Sequence, residues 1–447
     1  MTVSVAAARQ VPWWKEPTKD QWLAWVAAWL GWTLDAFDFT IFLLIMVPIA
    51  QSFGVSLVDV TAVFTITLWL RLVGAVSSGW LADRIGRKTP LMISILWYSA
   101  CNFIAGFSPS FAFLFVVRAA LGIGMGAEWP AGAALAMETW PIRSRGFMGA
   151  EWPAGAALAM ETWPIRSRAF MSGLLQGSWG IGYLLSAAVY GVLYTSIGWR
   201  GCLWIGVLPA VTVVYIRYFV KEPPVWVENR RRQREEQREV KLPLVSLFRR
   251  GMLTNTALAC WWMAGGMVAY YSINGMFPTH LQKDLGLSPA LIATPIIFAN
   301  LLLFLLSGAW GWVGDRLGRR WTMIIPGALG ILVAFWYMLS ADYWVIVIGY
   351  VLLAGLNGSA GSLIPAYMTE RFPTEVRATA GGFCYHVATI FGGLVPPAIT
   401  YFAASYHISF ALPMLIGCCI GSVSWCLALY LGPETKGKEM VPDLVLA

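Results

Sequence analysis

Long apolar runs and short polar breaks alternate from one end of the chain to the other. A bilayer core of about 30 Å needs roughly 20 residues of helix at about 1.5 Å per residue. That measure places spans at 22–48, 58–81, 90–109, 111–139, 169–194, 200–220, 252–278, 288–312, 322–340, 343–369, 376–404 and 407–431. The polar segment between the sixth and seventh spans, about 221–250, is the longest loop and too short for a soluble domain. The pattern predicts an all-α integral membrane protein of twelve helices. An N-terminal six-helix half covers 1–220, a linker 221–250 and a C-terminal six-helix half 251–447.

The halves are related. GWLADRIGRK at 79–88 returns as GWVGDRLGRR at 311–320, so Asp83 maps onto Asp315 at an offset of 232. METWPIRSR at 137–145 resembles MTERFPTEVR at 368–377, and Pro141 maps onto Pro373 at the same offset. One stretch disturbs this register. GAEWPAGAALAMETWPIRSRGFM at 126–148 is followed at once by a second copy at 149–171 that differs only in Ala169 for Gly146. Asp83 to Pro141 and Asp315 to Pro373 are both 58 residues, whereas downstream it is the second copy's Pro164, 58 before Glu222, that comes near the 61 from Pro373 to Glu434, Pro141 being 81 away. A unit of 23 residues is therefore surplus between spans four and five.

A single added crossing would turn every later loop over, and two helical crossings do not fit in 23 residues. The first copy is thus expected to complete span four, with Glu128 in the membrane. The second is expected to form a cytoplasmic or interfacial helix, with Glu151 away from the midplane.

Composition strengthens the membrane reading: 58% of residues are hydrophobic and 12% charged, with a mean hydropathy of +0.65. A soluble protein carries about 25% charge. The net charge of +8 would suit nucleic acid, but its distribution points elsewhere. Of 31 Lys and Arg, Arg71 and Arg118 fall inside spans and Arg200 and Lys283 in loops on one side, which leaves 27 on the other. That asymmetry is the positive-inside rule, and it puts both termini in the cytoplasm of a multi-pass protein of the cell membrane. ENRRRQREEQREVK at 228–241 then reads as a cytoplasmic linker near lipid head groups rather than a binding site. The N-terminus lacks the apolar core and cleavage site of a signal peptide. The seven cysteines lie in apolar segments without metal-ligand spacing, so no metal site or cofactor is expected.

The repeated GxLaDRxGRK loop, RxxxGxGxG in span four (Arg118, Gly122, Gly124, Gly126) and PETKG at 433–437 resemble the major facilitator superfamily. The resemblance implies a twelve-helix major facilitator fold of two halves related by a pseudo-two-fold axis, with a substrate site between them. Within it, four segments are similar to the sialate:proton symporter family, which includes bacterial sialic acid transporters and fungal lactate permeases. They are WLAWVAAWLGWTLDAFDF in span one, LWLRLVGA in span two, GAEWPAGAALAMETWP in span four and FPTHLQKDLGLSP after span seven. The fungal permeases' polar motif is matched in part by Asn274, Thr279, His280, Gln282 and Asp284. Sialate, lactate and pyruvate all remain open as substrates.

An ionised group in hydrocarbon costs at least about 2.5 to 3.5 kcal/mol, so each charge inside a span needs a partner or a task. Asp35 and Asp38 share a helix face at i, i+3. Counted from the span ends, Asp35, Arg71 and Glu128 all lie roughly 18 to 20 Å deep, close enough to meet in one cavity. Arg71 is the candidate clamp for a substrate carboxylate, because guanidinium binds carboxylate through paired hydrogen bonds. The alternative is a structural Arg71 to Asp pair locking spans one and two. Asp35, Asp38 and Glu128 are candidates for proton coupling, since a desolvated carboxyl beside a like charge can take up a proton near neutral pH. The alternative for each is a permanent pair with Arg71 or Arg118. Arg118 joins the coupling set by resemblance, with helix-end packing an equal reading.

Gln176, Tyr270 and Asn274 are further substrate-binding candidates, with Ser178 and Tyr271 beside them. His386 is the only histidine placed within a span, where a structural core role outweighs a proton relay. Gly79, Asp83, Arg84, Gly86 and Arg87, with Gly311, Asp315, Arg316, Gly318 and Arg319, form the candidate gating motif. Glycine there permits close approach, and the charges can pair between helices in one access state.

The reading that unites these residues is a proton-coupled symporter of an organic monocarboxylate working by alternating access. Its partners are a small organic acid, protons and the bilayer, with no nucleic acid, and it acts as a monomer. Aromatic acids or other metabolites are the alternative cargo. A transporter-like membrane sensor is the alternative class, but a sensor calls for a large soluble domain. An enzyme calls for catalytic His or carboxylate clusters at a membrane face, and neither is present. No phosphate-binding Gly-rich loop with Lys-Ser/Thr occurs, so energy must come from a gradient.

Overall fold

Polar caps and glycines set the helix ends of an otherwise continuous apolar chain. The computed structural model describes residues 19–85, 88–139, 168–220, 247–372 and 377–436. The N-terminal half contains α1 (Lys19–Phe53), α2 (Leu57–Ile85), α3 (Lys88–Ala105), α4 (Phe111–Thr139), α5 (Arg168–Ile205) and α6 (Pro209–Phe219). A reciprocal cap starts α2: Ser56 Oγ accepts from the Asp59 N–H at 3.1 Å, and Asp59 Oδ2 accepts from the Ser56 N–H at 3.2 Å. The long α5 turns over at Gly198, where φ is 64°, a region open to glycine without a Cβ clash. Its two limbs are the fifth span and the start of the sixth, which α6 completes.

The C-terminal half contains α7 (Arg250–Tyr270), α8 (Phe277–Lys283), α9 (Pro289–Leu317), α10 (Arg319–Met338), α11 (Tyr343–Gly361), α12 (Ile364–Glu370), α13 (Arg377–Tyr406) and α14 (Ala411–Leu431). A π-helical turn, Tyr271–Gly275, joins α7 to α8. The seventh span therefore runs past 278, and His280 is buried in it, so His386 is not the only histidine within a span. Asp342 caps α11 by accepting from the Trp344 and Val345 N–H groups at 2.9 and 3.0 Å. Eight helical stretches among the described residues are long and apolar enough to cross a membrane, and one of them, Gly177–Phe219, holds two spans. With α3, α4 and the α7–α8 pair they make the twelve crossings.

The repeat reappears in the helix starts. Leu57 and Pro289, and Phe111 and Tyr343, are 232 residues apart. Arg168 and Arg377, which start the fifth and eleventh spans, are 209 apart, shorter by the 23 surplus residues. Gly198 and His407 are separated by the same 209, and both turn the chain with a positive φ. Residues 140–167, with nearly all of the second copy and Glu151, lie outside the described residues. Its last four residues, from Arg168, open α5.

Small residues bring the two halves together. Gly177 lies against Phe304 and Gly180 against Leu303, which lets α5 pack closely along α9. The second such seam joins α2 to α13, where Thr61 and Thr400 share a hydrogen bond at 3.1 Å and Thr65 donates to the Gly393 carbonyl at 2.6 Å. The end of the bundle where the described chain meets Lys19, Val220, Leu247 and Lys436 is called the linker end below, and its opposite the far end. At the far end, Gln282 on α8 donates to the Leu44 carbonyl at 2.7 Å and to Tyr190 Oη at 3.1 Å, which ties the halves together there.

Candidate functional site

Between the halves lies a cavity of about 170 Å³ walled mainly by rings and amides. The N-terminal half contributes Trp32 and Trp179, whose centroids are 5.2 Å apart. The π-helical turn supplies the facing wall: Tyr270, Tyr271 and Asn274 all line the cavity, because the wider turn redirects consecutive side chains that a regular helix would spread around its axis. Trp179 Nε1 donates to Tyr270 Oη at 2.8 Å, Tyr183 Oη to the Asn274 carbonyl at 2.9 Å and Tyr350 Oη to Asn274 Oδ1 at 2.8 Å. Tyr350 is itself stacked on Phe277 at 3.7 Å. Two further amides, Asn300 and Asn357, come from α9 and α11, and Asn357 Oδ1 is buried without a partner among the described residues. On the linker side the lining continues to Gly327, Ile364 and Trp425. Among the described residues, no charged side chain lines it.

The charges stand one layer behind these rings. Arg71 Nη2 donates to both oxygens of Asp35, at 2.9 and 2.8 Å, with the two side chains 5% and 3% exposed. The guanidinium lies 4.9 Å from the Phe39 ring, which in turn meets Trp179 at 5.9 Å and Tyr271 at 6.3 Å, both in the cavity wall. Arg71 is thus one aromatic layer from the cavity, and its Nε has no partner among the described residues. α4 approaches this level closely, since a Cβ on Gly126 would collide with the Arg71 carbonyl. Glu128 follows two residues later on α4, with its side chain outside the described residues.

One turn further along α1, Asp38 and Arg118 face each other through an amide. Asn102 Nδ2 donates to Asp38 Oδ1 at 3.0 Å, and Arg118 Nη1 donates to Asn102 Oδ1 at 3.0 Å. Arg118 also lies 4.2 Å from the Phe42 ring. The four predicted charges with described side chains therefore form two acid and arginine sets on one face of α1.

Of the other candidates, Tyr270, Tyr271 and Asn274 line the cavity, and Gln176 lies on α5 with its side chain outside the described residues. Ser178 and His386 are buried in α5 and α13, the latter with its ring edge-on to Tyr385 at 5.5 Å. The gating motif is described fully only in the C-terminal half. There Arg319 pairs with Asp315 at 2.7 Å and donates through Nε and Nη2 to the two oxygens of Glu370 at 3.1 and 3.0 Å. Glu434 of the PETKG segment accepts from the Arg319 and Arg320 N–H groups at 2.8 and 3.1 Å. Gly311 is buried near the end of α9, Gly318 turns the chain at φ 104°, and Arg316 lies over Trp312 at 3.6 Å. Gly79, Asp83 and Arg84 end α2 with their side chains outside the described residues, as are Gly86 and Arg87 altogether.

Sequence reasoning missed Trp32, Trp179, Asn300, Asn357, Asn102, Glu370 and Glu434. Asn102 had a signal, a lone amide in the apolar run YSACNFIAGF. For the tryptophans there was none, in a chain with 25 of them.

Comparison with known proteins adds to this geometry. The model that describes the Major Facilitator Superfamily matches residues 28–150, 145–298 and 265–443, with its first break at the junction of the two copies. A probable 4-methylmuconolactone transporter of Cupriavidus pinatubonensis is 28% identical over 433 residues, covering 95% of this chain and 93% of the relative. The sialic acid transporter NanX of Escherichia coli is 26% identical over 437 residues, covering 95% and 97%. A crystal structure of a D-xylose–proton symporter superposes with a TM-score of 0.69 at 15% identity, covering 93% of this chain and 99% of that one.

Proposed function

The chain belongs to the major facilitator superfamily, and from that premise we propose that it is a proton-coupled symporter of an organic monocarboxylate. Its class is settled by the family: it is a multi-pass membrane transporter of solutes, not an enzyme. The observation that carries the finer reading is the buried Arg71–Asp35 pair one ring behind the cavity. A substrate carboxylate and Asp35 compete for one guanidinium. When Asp35 takes a proton it loses its claim on Arg71, which then turns to the incoming carboxylate. Acid and proton occupy the site together, and the added charges cancel. The loaded carrier can then reorient without moving a net charge through hydrocarbon.

Alternating access follows from the same frame. The far-end bond of Gln282 across the halves closes one side, and the positive-inside distribution makes that side the outer one. In this reading the carrier faces the cytoplasm, with both termini on the cytoplasmic side of the cell membrane, and works as a monomer.

Lactate, pyruvate and sialate are the first cargoes to test. A second reading, aromatic or other cyclic acids, is favoured by the ring lining of Trp32, Trp179, Tyr270 and Tyr271, which suits a flat face better than a three-carbon acid. The test is uptake of labelled lactate, pyruvate, sialate and benzoate into proteoliposomes, with and without an imposed pH gradient. Accumulation of at least one acid that depends on the gradient is expected. Absence of gradient-driven uptake for all four overturns the reading, and benzoate outcompeting lactate and pyruvate selects the cyclic cargo.

A further inference from the structure

The second charge set on α1 is built differently from the first, and the difference lies in one amide. Asp38, Asn102 and Arg118 are each 0% exposed. An aspartate and an arginine buried together would ordinarily close into a direct pair, as Asp35 and Arg71 do. Here they do not touch. Asn102 stands between them, giving its N–H to Asp38 and its carbonyl oxygen to Arg118. As a result Asp38 Oδ2 and Arg118 Nε and Nη2 are buried with no partner among the described residues, which is a costly arrangement unless it serves a changing state.

The wall behind the amide is unusual as well. The sixth span breaks at Gly206, between α5 and α6, and the chain passes the site in tight turns. The N–H groups of Gly206, Val207 and Leu208 bond three residues back, at 3.1, 3.1 and 2.9 Å, and Pro209 restarts the helix. A Cβ on Gly206 would strike Asn102 Nδ2 and lie 2.7 Å from Asp38 Oδ1. Any side chain at this position would displace the amide from the carboxylate.

We infer that Asn102 is a positioning residue that holds the Asp38 carboxyl and the Arg118 guanidinium apart, so that Asp38 stays available to take and release a proton, and that Gly206 is the wall that keeps the amide in place. The charged and titratable groups around Asp38 are Asp35 on its own helix, Arg118 on α4 with Cys101 on α3 beside it, and Arg71 on α2 beyond Asp35. Asn102 is the one neutral bridge among them. The inference rests on the proton-coupling reading for its purpose, but its geometry can be tested without a substrate.

The test is an infrared pH titration of the purified full-length protein in lipid nanodiscs, following the protonated-carboxyl C=O stretch that Asp38→Asn removes. Two substitutions at one position separate a spacer from a simple hydrogen-bond donor. Asn102→Ala opens a gap through which Arg118 reaches Asp38 directly, so the band should appear only at a pH lower by about one unit. Asn102→Leu keeps the gap filled but withdraws the donor, so the band should move to higher pH by about one unit. Gly206→Ala should follow Asn102→Leu in direction.

Shifts of the same sign for the two Asn102 variants, or no shift in either, overturn the inference, as does a spectrum in which Asp38→Asn removes no titrating band. If either variant aggregates, Asn102→Ser and Asn102→Val carry the same opposed expectations. Gradient-driven uptake that survives Asp38→Asn would sink this inference and leave the symport reading standing. The expected band shifts without any gradient-driven uptake would do the reverse.

Discussion

Arg71 and Arg319 mark the two extremes of how this molecule keeps an arginine. At the linker end, Arg319 meets Asp315 and the Gly314 carbonyl through Nη1 and both oxygens of Glu370 through Nε and Nη2. Its own N–H and that of Arg320 end on Glu434. Two cations at the start of a helix oppose its dipole, and the Glu434 carboxylate placed over those N–H groups offsets that cost. In the middle of the bundle, Arg71 offers one nitrogen to one carboxylate and leaves Nε unpaired. A satisfied network holds a fixed arrangement, whereas an under-satisfied pair can exchange partners. The linker-end cluster is therefore read as a latch, and the central pairs as the working parts.

The sharpest way to break the comparison is Arg71→Lys. Lysine keeps the charge but is a point donor rather than a planar fork. Affinity for the transported acid should fall by at least about 100-fold, equivalent to about 3 kcal/mol, while the thermal unfolding of the purified protein changes little. Equilibrium binding of whichever acid is accumulated by proteoliposomes measures it. An affinity within about threefold of the parent would reassign Arg71 to the locking of spans one and two.

The converse holds for the latch. Glu370→Gln leaves Arg319 with half of its carboxylate partners and should cost about 2 kcal/mol of stability, read as a lower unfolding temperature in detergent, with substrate affinity nearly unchanged. A strong loss of affinity with unchanged stability would invert the two roles.

The same contrast explains what could be read in advance. The twelve spans and their repeat were legible because burial in lipid demands long apolar runs, and the 232-residue offset survives in the helix starts at Leu57 and Pro289. The meeting of Asp35 with Arg71 was legible as a matter of depth, since charges in hydrocarbon must find partners. Which arginine took which aspartate was not, because Asp35 and Asp38 share one face and only lateral packing of α2 and α4 on α1 separates them. The cavity wall depends on the turn at Tyr271–Gly275, and nothing in YSING departs from an ordinary helix in pattern. Glu370 and Glu434 lie 51 and 115 residues from Arg319, a closure that only the tertiary fold makes.

The far-end latch offers the smallest and most local test. Asp284 Oδ2 accepts from His280 Nδ1 at 2.7 Å, from Ser409 Oγ at 2.6 Å and from the Phe410 N–H at 2.8 Å, which fixes α8 against the start of α14. Burial pushes the carboxyl upward, but the hydrogen bonds from His280, Ser409 and Phe410 together hold it below the ordinary carboxylate value. A carboxylate lowered in this way stabilises the folded protein above its unfolded value of about 3.9, and that contribution is lost as pH falls through the lower folded value. Asp284→Asn should therefore destabilise the protein at about pH 7 by about 0.5 kcal/mol, with solvent screening keeping the figure small. The gap between parent and variant should narrow as pH falls below about 4, where the unfolded chain takes up the proton first, and close once the folded carboxylate is protonated at lower pH. Unfolding temperatures of the two proteins across that range measure it. A gap that stayed constant with pH would mean that Asp284 acts through packing rather than charge, and the clasp on α8 would then join the neutral seam of Thr61 and Thr400 as a contact indifferent to protons.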